Sequence, residues 1–263
     1  MAVEVHPTSV VHPNAVLGEG VTIGPYCTIS EGANIGNNTT LQSHVVVDGN
    51  TRIGSGCRVF PFACIGVQSQ DLKFEEGNIC YTEVGDNCII RENVTIHAGT
   101  EDGTKTVIGN DCSLLALSHV AHNCNLGNNV ILSHNAILGG HVMVEDYANI
   151  GAMAAVHQFV RIGKHSLIAG VARLTQDVAP YTIAEGAPAI MRIINKVGMR
   201  RAGYSSQNIS EANNAFKTLF KRGHALEQAI ELLHEESPDS EVIKDITGFI
   251  QNSERGLARP TAD

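Results

Sequence analysis

The chain has 263 residues and carries 18 Lys and Arg against 27 Asp and Glu, a formal net charge of -9. That acidic balance argues against nucleic acid as a general partner. With neither a basic-then-apolar leader nor a run of about eighteen apolar residues, the sequence reads as cytoplasmic and without a transmembrane segment. The length admits one large domain, or a large and a small one.

From the N-terminus an aliphatic residue recurs at every sixth position: Val5, Val11, Leu17, Ile23, Ile29, Ile35, Leu41, Val47, Ile53, Val59 and Ile65. The pattern resumes at Val84, Ile90 and Ile96 and then runs from Ile108 to Leu174. Four residues after each aliphatic stands a second restricted position of small or modest volume, among them Ala15, Cys27, Ala33, Cys57, Cys88, Cys112, Cys124 and Ala136. One large and one small apolar position per six residues fits a coil of three short flat faces. The large side chain fills the interior and the small one tucks in near a corner. A sandwich would show period two and turn signals every 8 to 12 residues instead. The expected fold is therefore an all-β solenoid, a parallel β-helix of hexapeptide repeats. Five of the seven cysteines become packing residues; Cys64 and Cys80 fall outside that rule.

Two stretches break the period. Nineteen residues separate Ile65 from Val84, so a loop is expected near 66–83. Asp102 occupies a would-be core position, so a second is expected near 98–106. Loops on a rigid scaffold are common carriers of binding groups.

The coil is expected over 1–185 and a C-terminal α-helical domain over 186–263. Ala212, Phe216, Leu219 and Phe220 form one helical stripe, Leu226, Ala229, Ile230 and Leu233 a second, and Val242, Ile246, Phe249 and Ile250 a third. Gly223 stops the first helix, and Ser237-Pro238 reads as the start of the third. The tail could cover the open end of the solenoid, or bind a partner. Between Ile190 and Arg222 stand Arg192, Lys196, Arg200, Arg201, Lys217, Lys221 and Arg222 against the single acid Glu211. This local excess of positive charge in an acidic chain suits an anionic ligand or an acidic protein, or else a solvated helix face.

Residues eighteen apart stack one coil above another, about 4.8 Å apart. His122 therefore aligns with Gly140 and Gln158, and Asn123 with His141 and Phe159. His122 and His141 lie outside both interior positions and are expected to point outward, with His97, His119, His134 and His157 in the same section. The cluster admits a metal site, which needs three converging ligands, a plain polar sheet face, or a general base, which suits a neutral imidazole.

The motifs "SHVVVDGN", "QDLK", "RENVTIH", "SHVAHNC", "GGHV", "AVHQF" and "VGMRRAGY" together closely resemble the UDP-N-acetylglucosamine acyltransferases that open lipid A biosynthesis. The resemblance spans nearly the whole chain. It implies a left-handed β-helix, a homotrimer with active sites between subunits, and transfer of a 3-hydroxyacyl chain from acyl carrier protein to the 3-position of a UDP-sugar. The co-substrate is the carrier's phosphopantetheine thioester, with no other cofactor and no metal. By motif, His122 is the general base. Gln70, Asp71 and Lys73 approach the sugar or thioester from the loop. His97, His119, His141, His157 and Gln158 shape the pocket, and the Gly140 N–H meets the thioester oxyanion. Asn195 and Arg201 meet the uridine diphosphate or the phosphopantetheine, and the basic window suits an acidic carrier protein. Gly170 in "LIAG" matches the acyl-chain ruler and implies a long, myristoyl-class donor. Two positions depart from the family pattern. Asn123 replaces the usual aspartate beside the base, which suggests a weaker base and a 3-amino sugar as acceptor; Val197 replaces a common glutamate. The enzyme alternative is a coenzyme A-dependent hexapeptide acetyltransferase acting on a sugar or amine, and the non-enzymatic one is a scaffold.

Overall fold

A computed structural model describes residues 2–260. Residues 4–174 form the expected coil, a left-handed parallel β-helix. Short strands are stacked into three parallel sheets, and residues eighteen apart are paired wherever no loop intervenes, as in His119 with Ile137 and Asn125 with Met143. From the second coil on, the strands present their aliphatic residues inward: Ile23, Ile29, Ile35, Leu41, Leu126, Leu132 and Leu138 are all buried, whereas Val5 at the open N-terminal end is exposed. The interior is a ladder of apolar side chains, and fully burying each of them contributes roughly 1.5–3 kcal/mol.

The five cysteines assigned to the small position are buried. Cys57, Cys88, Cys112 and Cys124 each donate from Sγ to a carbonyl of the next coil, those of Gly85, Gly109, Gly127 and Gly139 at 3.1–3.2 Å. Burial pushes the Cys124 thiol up to about 12, so it stays a packing group.

The corners need backbone in the left-handed region, and this chain uses many non-glycine residues there. Asn123 (φ 59°), His141 (φ 60°) and Phe159 (φ 66°) occupy successive levels of one corner; Tyr147, His165 and Tyr181 occupy another. Asparagine tolerates this conformation best. Aromatic residues at these points stack instead, with His141 on Phe159 at 4.6 Å and Tyr147 on His165 at 4.6 Å.

Both loops are shorter than expected. Strands Cys64–Val67 and Tyr81–Val84 leave 68–80 as the first, and Thr95–His97 and Lys105–Ile108 leave 98–104 as the second.

Past Tyr181 the chain is not helical at once, because strands Thr182–Gly186 and Ala189–Ile194 form an antiparallel hairpin stacked on the last coil. Its alternating buried residues Thr182, Ala184, Ala189 and Met191 are a period-two signal too short to stand out beside the hexapeptide repeat. Among the described residues four helices follow: α1 (Lys196–Arg201), α2 (Ser206–Phe220), α3 (Leu226–Glu236) and α4 (Glu241–Gln251). The three predicted stripes fall on α2, α3 and α4. The start of α4 is corrected, since Ser240, not Ser237, caps it by accepting from Ile243 N–H at 3.3 Å. Ser237 instead closes α3. The tail is tied to the coil through Asp245 of α4, which pairs with Lys164 at 2.8 Å and accepts from Tyr181.

Candidate active site

The three-residue spacing of His119 and His122 carries the chain around a corner, so the two rings leave the coil in different directions. His119 ends on a strand, with Nδ1 at 2.7 Å from Thr95 Oγ1 and its ring edge-on to His97 at 4.7 Å. His122 is edge-on to His141 at 5.2 Å. It was expected to point outward onto an open cleft floor, and it does leave the coil, yet it is only 8 % exposed. The 68–80 loop lies near its outer edge, with Asp71 Oδ2 3.5 Å from Nε2.

The tautomer follows from the partners. His122 Nδ1 faces Asn123 Oδ1 at 2.9 Å, and the same oxygen accepts from Thr100 N–H at 3.1 Å. An oxygen already holding one N–H accepts the ring N–H as well, so Nδ1 carries a proton, and in the neutral ring the lone pair is on Nε2. That lone pair points toward the carboxylate of Asp71 and the backbone of Gly140. A Cβ on Gly140 would sit 2.4 Å from Nε2, so glycine is required there by contact.

The two loops are joined to each other. Thr100 Oγ1 donates to Ser69 Oγ at 2.6 Å, and Asp71 N–H donates to the same Ser69 oxygen at 3.1 Å. Asp71 Oδ1 in turn accepts from Lys73 N–H at 3.0 Å. Asp71 is thus held with one carboxylate oxygen turned inward to its own loop and the other toward His122.

Three of the surrounding histidines, His97, His119 and His141, are shifted toward the neutral form. Burial, reinforced by the charges of His119 and His122, depresses His97 to about 4. His119 is lowered by burial and by His122. His141 is lowered by burial and His122, against the raising effects of Glu101 and Asp71. Among the described residues no group of three His, Cys, Asp or Glu converges as metal ligands.

The remaining predicted residues are not all brought together. Gln70 and Lys73 are exposed on the 68–80 loop. Gln158 is exposed two coils away from His122, and His157 turns to the tail, accepting from Arg255 Nη2 at 2.9 Å. Asn195 caps α1, accepting from Gly198 N–H at 3.0 Å and donating to the His165 carbonyl at 2.9 Å. With Val197 and Arg201 it lines a cleft of about 530 Å³ beside Tyr147, at a different corner of the prism from His122. A larger cleft of about 880 Å³ opens beside Asn123, His141, Phe159 and Arg255. Gly170 is exposed at a corner. Sequence reasoning missed Ser69, Thr95, Thr100 and Glu101; all four act through contacts between separate coils or loops, which no local spacing reveals.

A left-handed hexapeptide coil with a loop-covered histidine, its ring oriented by a side-chain oxygen, fits the class of hexapeptide acyltransferases. Residues 177–258 match the family described as UDP N-acetylglucosamine O-acyltransferase, domain 2, and residues 105–140 match the bacterial transferase hexapeptide (six repeats). The acyl-[acyl-carrier-protein]--UDP-N-acetylglucosamine O-acyltransferase of Akkermansia muciniphila is 49 % identical over 97 % of this chain and 98 % of its own. Among solved structures, the UDP-N-acetylglucosamine acyltransferase of Bacteroides fragilis is 38 % identical with a TM-score of 0.93, covering 97 % of this chain and 100 % of that one. That of Francisella novicida is 34 % identical with a TM-score of 0.94, covering 98 % and 94 %. The chain belongs to the UDP-N-acetylglucosamine acyltransferase family.

Proposed function

We propose that the protein transfers a long 3-hydroxyacyl chain from acyl carrier protein to the 3-hydroxyl of UDP-N-acetylglucosamine, the opening step of lipid A biosynthesis, with His122 as general base. The observation that carries this is the orientation of His122: Nδ1 is committed to Asn123, and the free Nε2 faces Asp71 under the loop. Family membership favours this reading over a coenzyme A-dependent acetyltransferase.

In the proposed reaction Nε2 takes the proton from the sugar 3-hydroxyl as its oxygen attacks the thioester carbonyl carbon. The new C–O bond forms a tetrahedral oxyanion. The Gly140 N–H, which among the described residues donates to no backbone carbonyl, is available to that oxyanion. Collapse breaks the C–S bond, and the imidazolium returns its proton to the departing phosphopantetheine sulfur. Asp71 stabilises the imidazolium across 3.5 Å, and His97, His119 and His141 line the pocket as neutral groups.

Asn195 and Arg201 stand at another corner from His122 within one chain. A homotrimer whose sites lie between subunits accounts for this separation, since one subunit's base would meet the neighbour's uridine-diphosphate residues across the boundary. The basic residues from Arg192 to Arg222 offer the acidic carrier protein a landing surface. The exposed glycine at 170 leaves the hydrocarbon groove long.

The test is acyl transfer from 3-hydroxymyristoyl acyl carrier protein, with the UDP-sugar in its 3-hydroxy and 3-amino forms, by wild type and His122→Ala. Wild-type transfer to the hydroxyl that falls about 10²- to 10⁴-fold in the variant supports the reading. Full turnover by His122→Ala removes the base, and preference for the 3-amino sugar replaces the acceptor.

A further inference from the structure

The family pattern places aspartate where this chain has Asn123, so the base lacks a directly bonded carboxylate. The structure supplies one a step further out. Asn123 Nδ2 donates to Glu101 Oε2 at 3.2 Å. The amide cannot be turned around: its oxygen faces two donors, the His122 ring N–H and Thr100 N–H, and its nitrogen faces an acceptor. A flipped amide would set N–H against N–H on one side and oxygen against carboxylate on the other.

Glu101 is also held in place. Its own carbonyl accepts from Thr104 Oγ1 at 2.6 Å and from Cys80 Sγ at 3.3 Å. Cys80, which the hexapeptide period leaves unexplained, is a buried residue of the first loop, and its thiol clamps the backbone of the second. Asn78 Nδ2 donates to the neighbouring Thr100 carbonyl at 3.0 Å, and Asp102 Oδ1 accepts from Ile79 N–H at 2.8 Å. The 98–104 loop is therefore fixed on both sides of Glu101.

We infer that Glu101 is a positioning residue for the base, the outer carboxylate of a His122–Asn123–Glu101 relay in which the asparagine amide transmits the charge that an aspartate would place directly on the ring. The inference rests on His122 being the base. As the imidazolium forms, Nδ1–H binds Asn123 Oδ1 more strongly, the amide polarises, and its N–H groups lean on the Glu101 carboxylate. No proton leaves Asn123 or reaches Glu101. The substitution of the family's aspartate thus moves the negative charge outward, and the chain does not need an amine acceptor to compensate for a weak base.

His122 is faced by Asp71 at Nε2, by His141 edge-on, by His97 and His119 from the paired strands Thr95–His97 and His119–Val120, by Lys73 through its effect on the same cluster, and by Asn123 with Glu101 at Nδ1. Removing the Glu101 charge leaves the others in place. Glu101 is exposed, so solvent screens part of its field.

The experiment is the pH dependence of kcat for 3-hydroxymyristoyl transfer by wild type, Glu101→Gln, Glu101→Gln/Asn123→Asp and His122→Ala. Glu101→Gln is expected to lower kcat about tenfold, as removal of a residue that orients another through a hydrogen bond commonly does, with KM for the sugar within about twofold. The acid limb moves to lower pH, because a less stabilised imidazolium loses its proton more easily. The double variant exchanges the places of amide and carboxylate and is expected to recover kcat to within about threefold and to restore the limb. A role confined to holding the loop would raise KM and leave the limb where it was, with no rescue; that outcome overturns the relay. So does an unchanged Glu101→Gln alongside an inactive His122→Ala, which spares the base, whereas an active His122→Ala removes base and relay together.

Discussion

At the scale of single residues the site is made by close contact as much as by chemistry. Gly140 stacks one coil from His122, and the ring occupies the space a side chain would take, with Cε1 2.5 Å from a built Cβ. Gly140→Ala is expected to push the imidazole off the line between Asn123 and Asp71 while leaving the buried ladder intact. A loss of kcat of at least about tenfold with a change in Tm below about 3 °C is the expected result. Assay and thermal melt of the same preparation check it, and full activity would mean that the ring has room it does not show. The register that aligns His122 with Gly140 was legible in the sequence, because the eighteen-residue repeat fixes it. The burial of His122 was not, because it comes from a loop that has left the repeat. Glu101 was invisible for a related reason: it meets Asn123 across twenty-two positions, and an acidic residue in a polar loop reads as a solvated surface charge.

At the scale of elements, the strands and the corners carry separate kinds of information. The interior aliphatics and small cysteines were legible in full, since the same volume constraint recurs at every coil. The hairpin at 182–194 and the Ser240 cap were not. The first has too few residues to establish a period, and the second competed with a Ser-Pro pair that resembles a helix start equally well. Corners are where a repeat can vary without harm to the core, and Gly170 is such a place. A Cβ there would lie 3.3 Å from the Ala152 carbonyl oxygen and 3.9 Å from its nitrogen, a tight approach to the backbone with no other neighbour within 4 Å. On the proposed reading of Gly170 as the acyl-chain ruler, Gly170→Met is expected to shorten the chain the site accepts. The expected outcome is a shift in preference of at least about tenfold from fourteen-carbon toward ten-carbon 3-hydroxyacyl carrier protein; by analogy with other apolar pockets each methylene is worth about 1 kcal/mol. A chain-length series on wild type and variant measures it, and an unchanged series would move the ruler elsewhere.

At the scale of the whole molecule, holding a group of histidines neutral in a buried setting ties stability to pH. His97, 3 % exposed, has its pKa lowered from 6.5 to about 4 by burial, assisted by the charges of His119 and His122. His119, His141 and His165 are lowered too, with burial the main cause in each. The unfolded chain keeps these side chains near their ordinary value. As pH falls through about 6.5 it therefore binds protons that the folded chain refuses, and unfolding becomes easier. The stabilisation is present above about 6.5 and is lost as pH falls; for His97 the loss runs on to about 4 and reaches about 3 kcal/mol. Glu145 works the other way, because burial raises its carboxyl, so protonating it on acidification relieves a cost; one such group opposes four histidines. The urea midpoint, measured by far-ultraviolet circular dichroism at fixed protein concentration, is expected to fall steadily from pH 7 to pH 5. His97→Asn is expected to flatten that slope, since it removes the most depressed imidazole while keeping a polar side chain. A midpoint constant across this range, or one that rises toward pH 5, would mean that the folded histidines take up protons as readily as free ones, and the neutral pocket around His122 would have to be given up.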